Sequence, residues 1–135
     1  MSIAEESLFV NEAFYHAFRE RDLSAMDALW ATEAPVVCIH PGWAAIVDRA
    51  EIMESWQGIF QNPQSPAIHC RNARVFPLDG LGMVVCYEEI AGGLLVATNL
   101  FRRESGGLRI VHHQAGPSNP PPGGLGGQAD EATVQ

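Results

Sequence analysis

Apolar residues in the first third of the chain recur at helical spacing. Val10, Phe14 and Phe18 lie four apart with Ala13 and Ala17 beside them, so they share one helix face. Glu5, Glu6 and Glu12 sit toward the N-terminal end of that helix and Arg19 and Arg21 at its C-terminal end, as the helix dipole favours. Ser24 is a candidate cap for a second, short helix whose buried stripe is Met26, Leu29 and Trp30, and Pro35 stops it. Val36-Val37-Cys38-Ile39 is a continuous apolar run that predicts a strand ending at His40-Pro41. Asp48, with Glu51 three residues on, caps a third helix. Ile52, Trp56, Ile59 and Phe60 face inward from it, and Asn62-Pro63 ends it.

The second half changes period. Asp79-Gly80, Gly92-Gly93 and Ser105-Gly106-Gly107 are hairpin signals that divide residues 67–114 into four segments of strand length. Helix, helix, strand, helix and then four long strands describe an α+β domain. A long antiparallel sheet must curve to wrap three N-terminal helices, which predicts a cone with a cavity at its open end. From Ser118 the chain reads SNPPPGGLGGQADEATVQ, too poor in large apolar residues to offset its own ordering entropy. The expected organisation is therefore a domain over 1–117 and a disordered Pro/Gly-rich tail over 118–135.

Composition narrows the function. Sixteen acidic residues face eight basic ones, all of them arginine, for a net charge of −8. Such a chain has no basic footprint for nucleic acid. It carries no apolar run of membrane-spanning length, and MSIAEESL has no signal-peptide character. Cys38, Cys70 and Cys86 are odd in number and lie within apolar runs, which reads as reduced, buried thiols of a cytoplasmic protein. No His-x-His, HExxH or Cys-x-x-Cys spacing occurs, so neither a metal nor another cofactor is expected.

A family resemblance rests on particular residues. The run Phe14-Tyr15-His16-Ala17-Phe18, then Arg21-Asp22-Leu23 and Ala28-Leu29-Trp30, resembles the opening helices of the NTF2-like superfamily. Further motifs follow in order: Ile39-His40-Pro41-Gly42-Trp43, Ser55-Trp56, Cys86-Tyr87-Glu88, Ala97-Thr98-Asn99-Leu100-Phe101, and Val111 through Pro117. Together they resemble the SnoaL-like branch over about residues 5–117. The resemblance implies a helix-and-sheet cone that commonly dimerises. It does not fix an activity, because this fold hosts isomerases, cyclases, dehydratases, scaffolds and transport factors. Compared with the steroid isomerases of the superfamily, the chain has His40 where they carry the catalytic aspartate. Asn99 stands in place of their oxyanion-hole aspartate, and Phe14, with Tyr15 adjacent, in place of their tyrosine. Steroid isomerisation itself is therefore not expected.

The substituted positions still offer chemistry. His40 titrates near neutrality and can serve as a general base, and Asn99 can donate an amide N–H to a developing oxyanion. Glu88 sits on an otherwise apolar strand face, where a carboxylate needs a partner or a task. These three are the candidate catalytic residues; pairing of Glu88 with Arg71 or Arg74 is its structural alternative. Tyr15, Trp43, Trp56 and His113 are the candidate ligand-binding residues. His112 and His113 point to opposite sheet faces, and His113 is taken as the inward one. The apolar loop Gly42–Val47 is expected either to cover the pocket mouth or to meet a partner subunit. The resulting expectation is a homodimer that binds a small apolar or carbonyl-bearing molecule, with acid–base catalysis of isomerase, cyclase or dehydratase type. The alternative is a non-catalytic scaffold or ligand carrier, suggested by an ending similar to that of the association domain of calmodulin-dependent kinases.

Overall fold

The computed structural model describes residues 1–126 and 133–134. Helix α1 (Ile3–Glu20) opens on a capping box: Ser2 Oγ accepts from the Glu5 N–H, and the Glu5 carboxylate accepts from the Ser2 N–H. It ends at Arg21, whose left-handed backbone (φ 53°, ψ 43°) leaves Asp22 as the next extended residue. Asp22 then caps α2 (Leu23–Leu29) by accepting from the Ala25 N–H at 3.0 Å. The cap is thus Asp22 and not Ser24, because the left-handed turn starts the second helix earlier than the apolar spacing implies.

Strand β1 (Val37–Ile39) and helix α3 (Arg49–Gln61) follow, the latter capped by Asp48 as expected. Four long strands complete the domain: β2 (His69–Leu78), β3 (Leu81–Ile90), β4 (Gly93–Glu104) and β5 (Gly107–Pro117). They form an antiparallel meander in which β1 pairs in parallel with β5. A two-residue strand, β6 (Thr133–Val134), runs beside β2, so the sheet order is β1-β5-β4-β3-β2-β6. Irregular register in β2 between Arg71 and Arg74, and between Leu100 of β4 and Phe101, bends the strands. The curved sheet cups the helices, which is the α+β cone that the segment order predicts.

The core lies between the concave sheet face and α1. Phe14 is fully buried at its centre, in edge-on contact with Tyr15, Phe18 and Trp56. Gly82 of β3 lets α1 come close: a Cβ there would overlap the Ser7 hydroxyl and lie 2.7 Å from Ser7 Cβ. The buried stripe of α1 is Ala4, Ser7, Asn11, Phe14, Tyr15 and Ala17, rotated from the apolar stripe of the sequence. Val10, Ala13 and Phe18 are only half-buried. Two polar residues, Asn11 and Tyr15, take inward places because partners wait for them on the sheet.

Two arginines fix the helices around the cone's mouth. The Arg21 guanidinium donates to the carbonyls of Phe60, Asn62 and Ser65 at 2.8–2.9 Å, capping the C-terminal end of α3. Arg49 ties α3 to α2 through Asp27 and the carbonyls of Asp27, Trp30 and Ala31. The loop before α3 folds back on β1: Ile46 and Cys38 exchange backbone hydrogen bonds of 2.9 Å. Trp43 and Val47 of this loop are 50% and 68% exposed. Of the segment expected to be a disordered tail, residues 127–132 and 135 lie outside the described residues. Within the described part, Gly126 O accepts from Arg71 and Gly124 O from Asn72.

Candidate functional site

Alternation along β3, β4 and β5 aims Cys86, Glu88, Asn99 and His113 at the concave face, and α1 lays Asn11 and Tyr15 over them. Tyr15 Oη donates to Glu88 Oε2 at 2.6 Å. Being a donor there, it accepts from the others: Asn99 Nδ2 donates to it at 3.3 Å and Cys86 Sγ at 3.3 Å. The second Asn99 N–H donates to Asn11 Oδ1 at 2.8 Å. Asn99 Oδ1 then accepts from His113 Nδ1 at 2.6 Å, across the direct Asn99–His113 register pair of β4 and β5. A hydrogen-bonded chain therefore runs Glu88–Tyr15–Asn99–His113 through the core. It assigns the proton of His113 to Nδ1 and leaves Nε2 a lone pair.

A second group lies beside it. Ser55 Oγ donates to Ile52 O at 2.6 Å, so its contact with His40 Nε2 at 2.9 Å must be accepted from the imidazole. His40 thus carries its proton on Nε2 and a lone pair on Nδ1. The His40 ring lies 6.3 Å from the His113 ring, with Trp56 packed against both at 4.8 and 5.9 Å. Cys38 Sγ approaches the same His40 nitrogen at 3.6 Å, and burial first, then Glu88, pushes its thiol up to about 12. It is no nucleophile near neutral pH.

These groups surround a cavity of about 280 Å³. Its deep polar wall is His40, Glu88 and His113, which are 3%, 1% and 1% exposed. Phe18, Ile59, Ile68, Ile90 and Leu95 supply apolar walls, while Trp43 and Ser65 stand on the lining nearer solvent. Among the described residues no group hydrogen-bonds His40 Nδ1, His113 Nε2 or Glu88 Oε1. Burial dominates the electrostatics. It raises the Glu88 carboxyl to about 7 against the opposing pull of the Tyr15 hydroxyl. It lowers His40 to about 4, and it lowers His113 to about 3 with help from the neighbouring imidazoles of His40 and His112. Both histidines are therefore neutral at pH 7. Burial also drives the Tyr15 phenol well above its usual value. Among the described residues no three His, Cys, Asp or Glu side chains group as metal ligands, and no helix is long and apolar enough to cross a membrane.

Of the residues singled out from the sequence, His40, Glu88, His113 and Trp43 line the cavity. Tyr15, Asn99 and Trp56 stand directly behind it, fully buried. His113 is the inward histidine of its pair. The pairing of Glu88 with Arg71 or Arg74 does not occur: Arg71 bonds Glu89 at 2.8 Å on the other sheet face, while Glu88 turns inward to Tyr15. Asn11 and Ser55 went unassigned. Their signal was a polar residue on an otherwise inward helix face, four before Tyr15 and one before Trp56 respectively.

The sequence profile of the SnoaL-like domain matches residues 8–119. The chain belongs to the SnoaL-like family. Solved structures place this SnoaL-like protein in the NTF2-like superfamily. A candidate dehydratase of the NTF2-like family from Streptomyces avermitilis is 29% identical, with a TM-score of 0.78 over 86% of this chain and 96% of its own. A candidate calcium/calmodulin-dependent protein kinase type II association domain from Thiobacillus denitrificans is also 29% identical. Its TM-score is 0.67 over 82% of this chain and 93% of its own. Among curated relatives, the F-box protein SKIP8 of Arabidopsis thaliana is 31% identical over 108 residues, 78% of this chain. The match spans 47% of that relative, so this SnoaL-like protein corresponds to about half of it.

Proposed function

We propose that this SnoaL-like protein binds a small apolar, carbonyl-bearing molecule in the cavity and moves a proton on it, with Glu88 as the group that takes and returns the proton. The observation that carries this reading is the state of Glu88. It is buried in an apolar cavity with one oxygen fixed by Tyr15, the other without a partner among the described residues, and a carboxyl raised to about 7. A group titrating there is populated in both forms at neutral pH, the condition general acid–base catalysis favours. His40, lowered to about 4, is a weaker base at neutral pH than the sequence suggested. Both N–H bonds of Asn99 are engaged by Asn11 and Tyr15, which suits it to holding the site and not to meeting an enolate. Dehydration, the activity in the name of the Streptomyces avermitilis neighbour, needs proton transfers of this kind.

The test is solvent deuterium exchange into 2-tetralone and 6-hydroxy-2-tetralone, followed by mass spectrometry. Wild-type protein is expected to speed exchange alpha to the carbonyl, and Glu88→Gln to lose about 10²–10⁴-fold of that rate. Equal exchange in the two proteins, or none in either, would sink the catalytic reading and favour the carrier or scaffold. The open cavity, not filled by Trp43 and Trp56, supports ligand binding over a pure scaffold. The homodimer belongs on the outer sheet face, where Met83, Val85, Tyr87, Val96 and Leu100 form an apolar strip across β3 and β4. Solution mass tests it. The cytoplasmic assignment rests on the three free, buried cysteines.

A further inference from the structure

The two imidazoles deep in the cavity present the same kind of atom. Ser55, by donating to Ile52 O, obliges His40 to donate through Nε2 and leaves Nδ1 an acceptor. Asn99, whose two N–H bonds go to Asn11 and Tyr15, has only a carbonyl oxygen for His113 and so leaves Nε2 an acceptor. Tyr15 fixes the sense of that chain by donating to Glu88 Oε2, and Glu88 Oε1 adds a third acceptor while ionised. Among the described residues, donors enter the lining side chains at Ser65 and the half-exposed Trp43, away from this wall, and at Glu88 in its protonated form alone.

The geometry points to a ligand that carries hydroxyl or N–H donors as well as an apolar body, held by His40 Nδ1 and His113 Nε2. Ser55, Asn99 and Tyr15 act as positioning residues that lock the two imidazoles as acceptors. A ligand offering only acceptors leaves these buried nitrogens unpaired and is disfavoured, since unpaired buried polar groups are costly and a site built for a donor rejects analogues without one. This rests on the cavity being the ligand site, as in the proposed function. Applied to that function, it narrows the substrate from a carbonyl compound to a hydroxy- or amino-carbonyl compound. No proton leaves either histidine in this role; they bind and orient.

The test reads the imidazole nitrogens directly, by long-range 1H–15N spectra of the uniformly 15N-labelled protein at neutral pH. His113 is expected to carry its proton on Nδ1 and His40 on Nε2. Adding resorcinol should move both unprotonated nitrogens toward the protonated position, whereas 1,3-dimethoxybenzene should not. Asn99→Leu should release the His113 proton to Nε2 and weaken resorcinol at least fivefold, while Asn99→Asp, which keeps an acceptor for Nδ1, should hold it on Nδ1. The wild-type spectrum decides the tautomers even if a variant fails to fold. Either histidine in the opposite tautomer overturns the inference. So do equal shifts with both probes, or shifts with neither. Failure of deuterium exchange with these signatures intact would instead remove the catalytic reading and leave the ligand class standing.

Discussion

Glu88→Gln offers a stability test of the site that needs no substrate. In the fold the carboxyl is raised by burial from its ordinary 4.5 to about 7. Between those values the folded chain keeps a proton that the unfolded chain has released. The associated stability is complete below pH 4.5 and is lost as the pH rises through 7. Integrated over the titration, the loss between pH 5 and pH 8 is about 2.5 kcal/mol. Glutamine is nearly isosteric, stays neutral, and presents a carbonyl oxygen to the Tyr15 hydroxyl. Whatever the amide costs sterically, it costs equally at both pH values, and groups that titrate in both proteins cancel. Urea unfolding of wild type and variant at pH 5 and pH 8 should therefore show the variant gaining about 2.5 kcal/mol relative to wild type at the higher pH. The midpoint gap should change by about 1–2 M. A gap of the same size at both pH values would mean that Glu88 ionises normally. The proton-holding role would then fall with it.

Other perturbations check the packing. Phe14→Ala removes the ring on which Tyr15, Phe18 and Trp56 converge, and should lower unfolding free energy by about 3–5 kcal/mol in the same urea assay. Gly82→Ala drives a methyl into Ser7 and should cost about 1–3 kcal/mol, whereas Ser7→Ala deletes a buried hydroxyl that has no partner among the described residues and should be neutral or stabilising. A destabilised Ser7→Ala protein would show that the hydroxyl has a role the structure does not display. Cys38, Cys70 and Cys86 should resist thiol-specific reagents in the native protein and react together on unfolding; rapid labelling of Cys38 at neutral pH would contradict its raised thiol.

The fold was legible because its signals are local. Asp48 before Glu51, the glycine-marked turns at Gly80 and Gly92, and the period change after Pro63 each report on a few adjacent residues, and each corresponds to an element boundary. The misplaced cap at Ser24 is the same point from the other side. Asp22 wins because Arg21 adopts a left-handed backbone, an unusual choice for arginine that no local composition announces. The rotation of α1's buried stripe is of another kind. Periodicity credits only apolar residues, so Asn11 carries no periodic signal and Tyr15, though a candidate ligand-binding residue, falls outside the apolar stripe, while the sheet offers them Cys70, Glu88 and Asn99.

The site was half legible for the same reason. Alternation placed Glu88 and His113 on the concave face, and a strand end placed His40 at the cavity, but roles depended on hydrogen bonds between residues as much as 88 positions apart. A carboxyl on an apolar face has two general solutions, an ion pair or a neutral donor, and sequence distance does not choose between them. Here Arg71 and Glu89 face outward together, so Glu88 meets a phenol and stays half-protonated near neutral pH. That choice matters for function. Apolar residues of similar volume would make a core at least as stable as one holding a carboxyl, two imidazoles and two amides. Stability alone is therefore a weak reason for this cluster. Each member either faces the cavity, as His40, Glu88 and His113 do, or fixes the orientation of one that does, as Ser55, Asn99, Asn11 and Tyr15 do. That division into groups that face the cavity and groups that hold them is what the proposed ligand, seated among the three, would use.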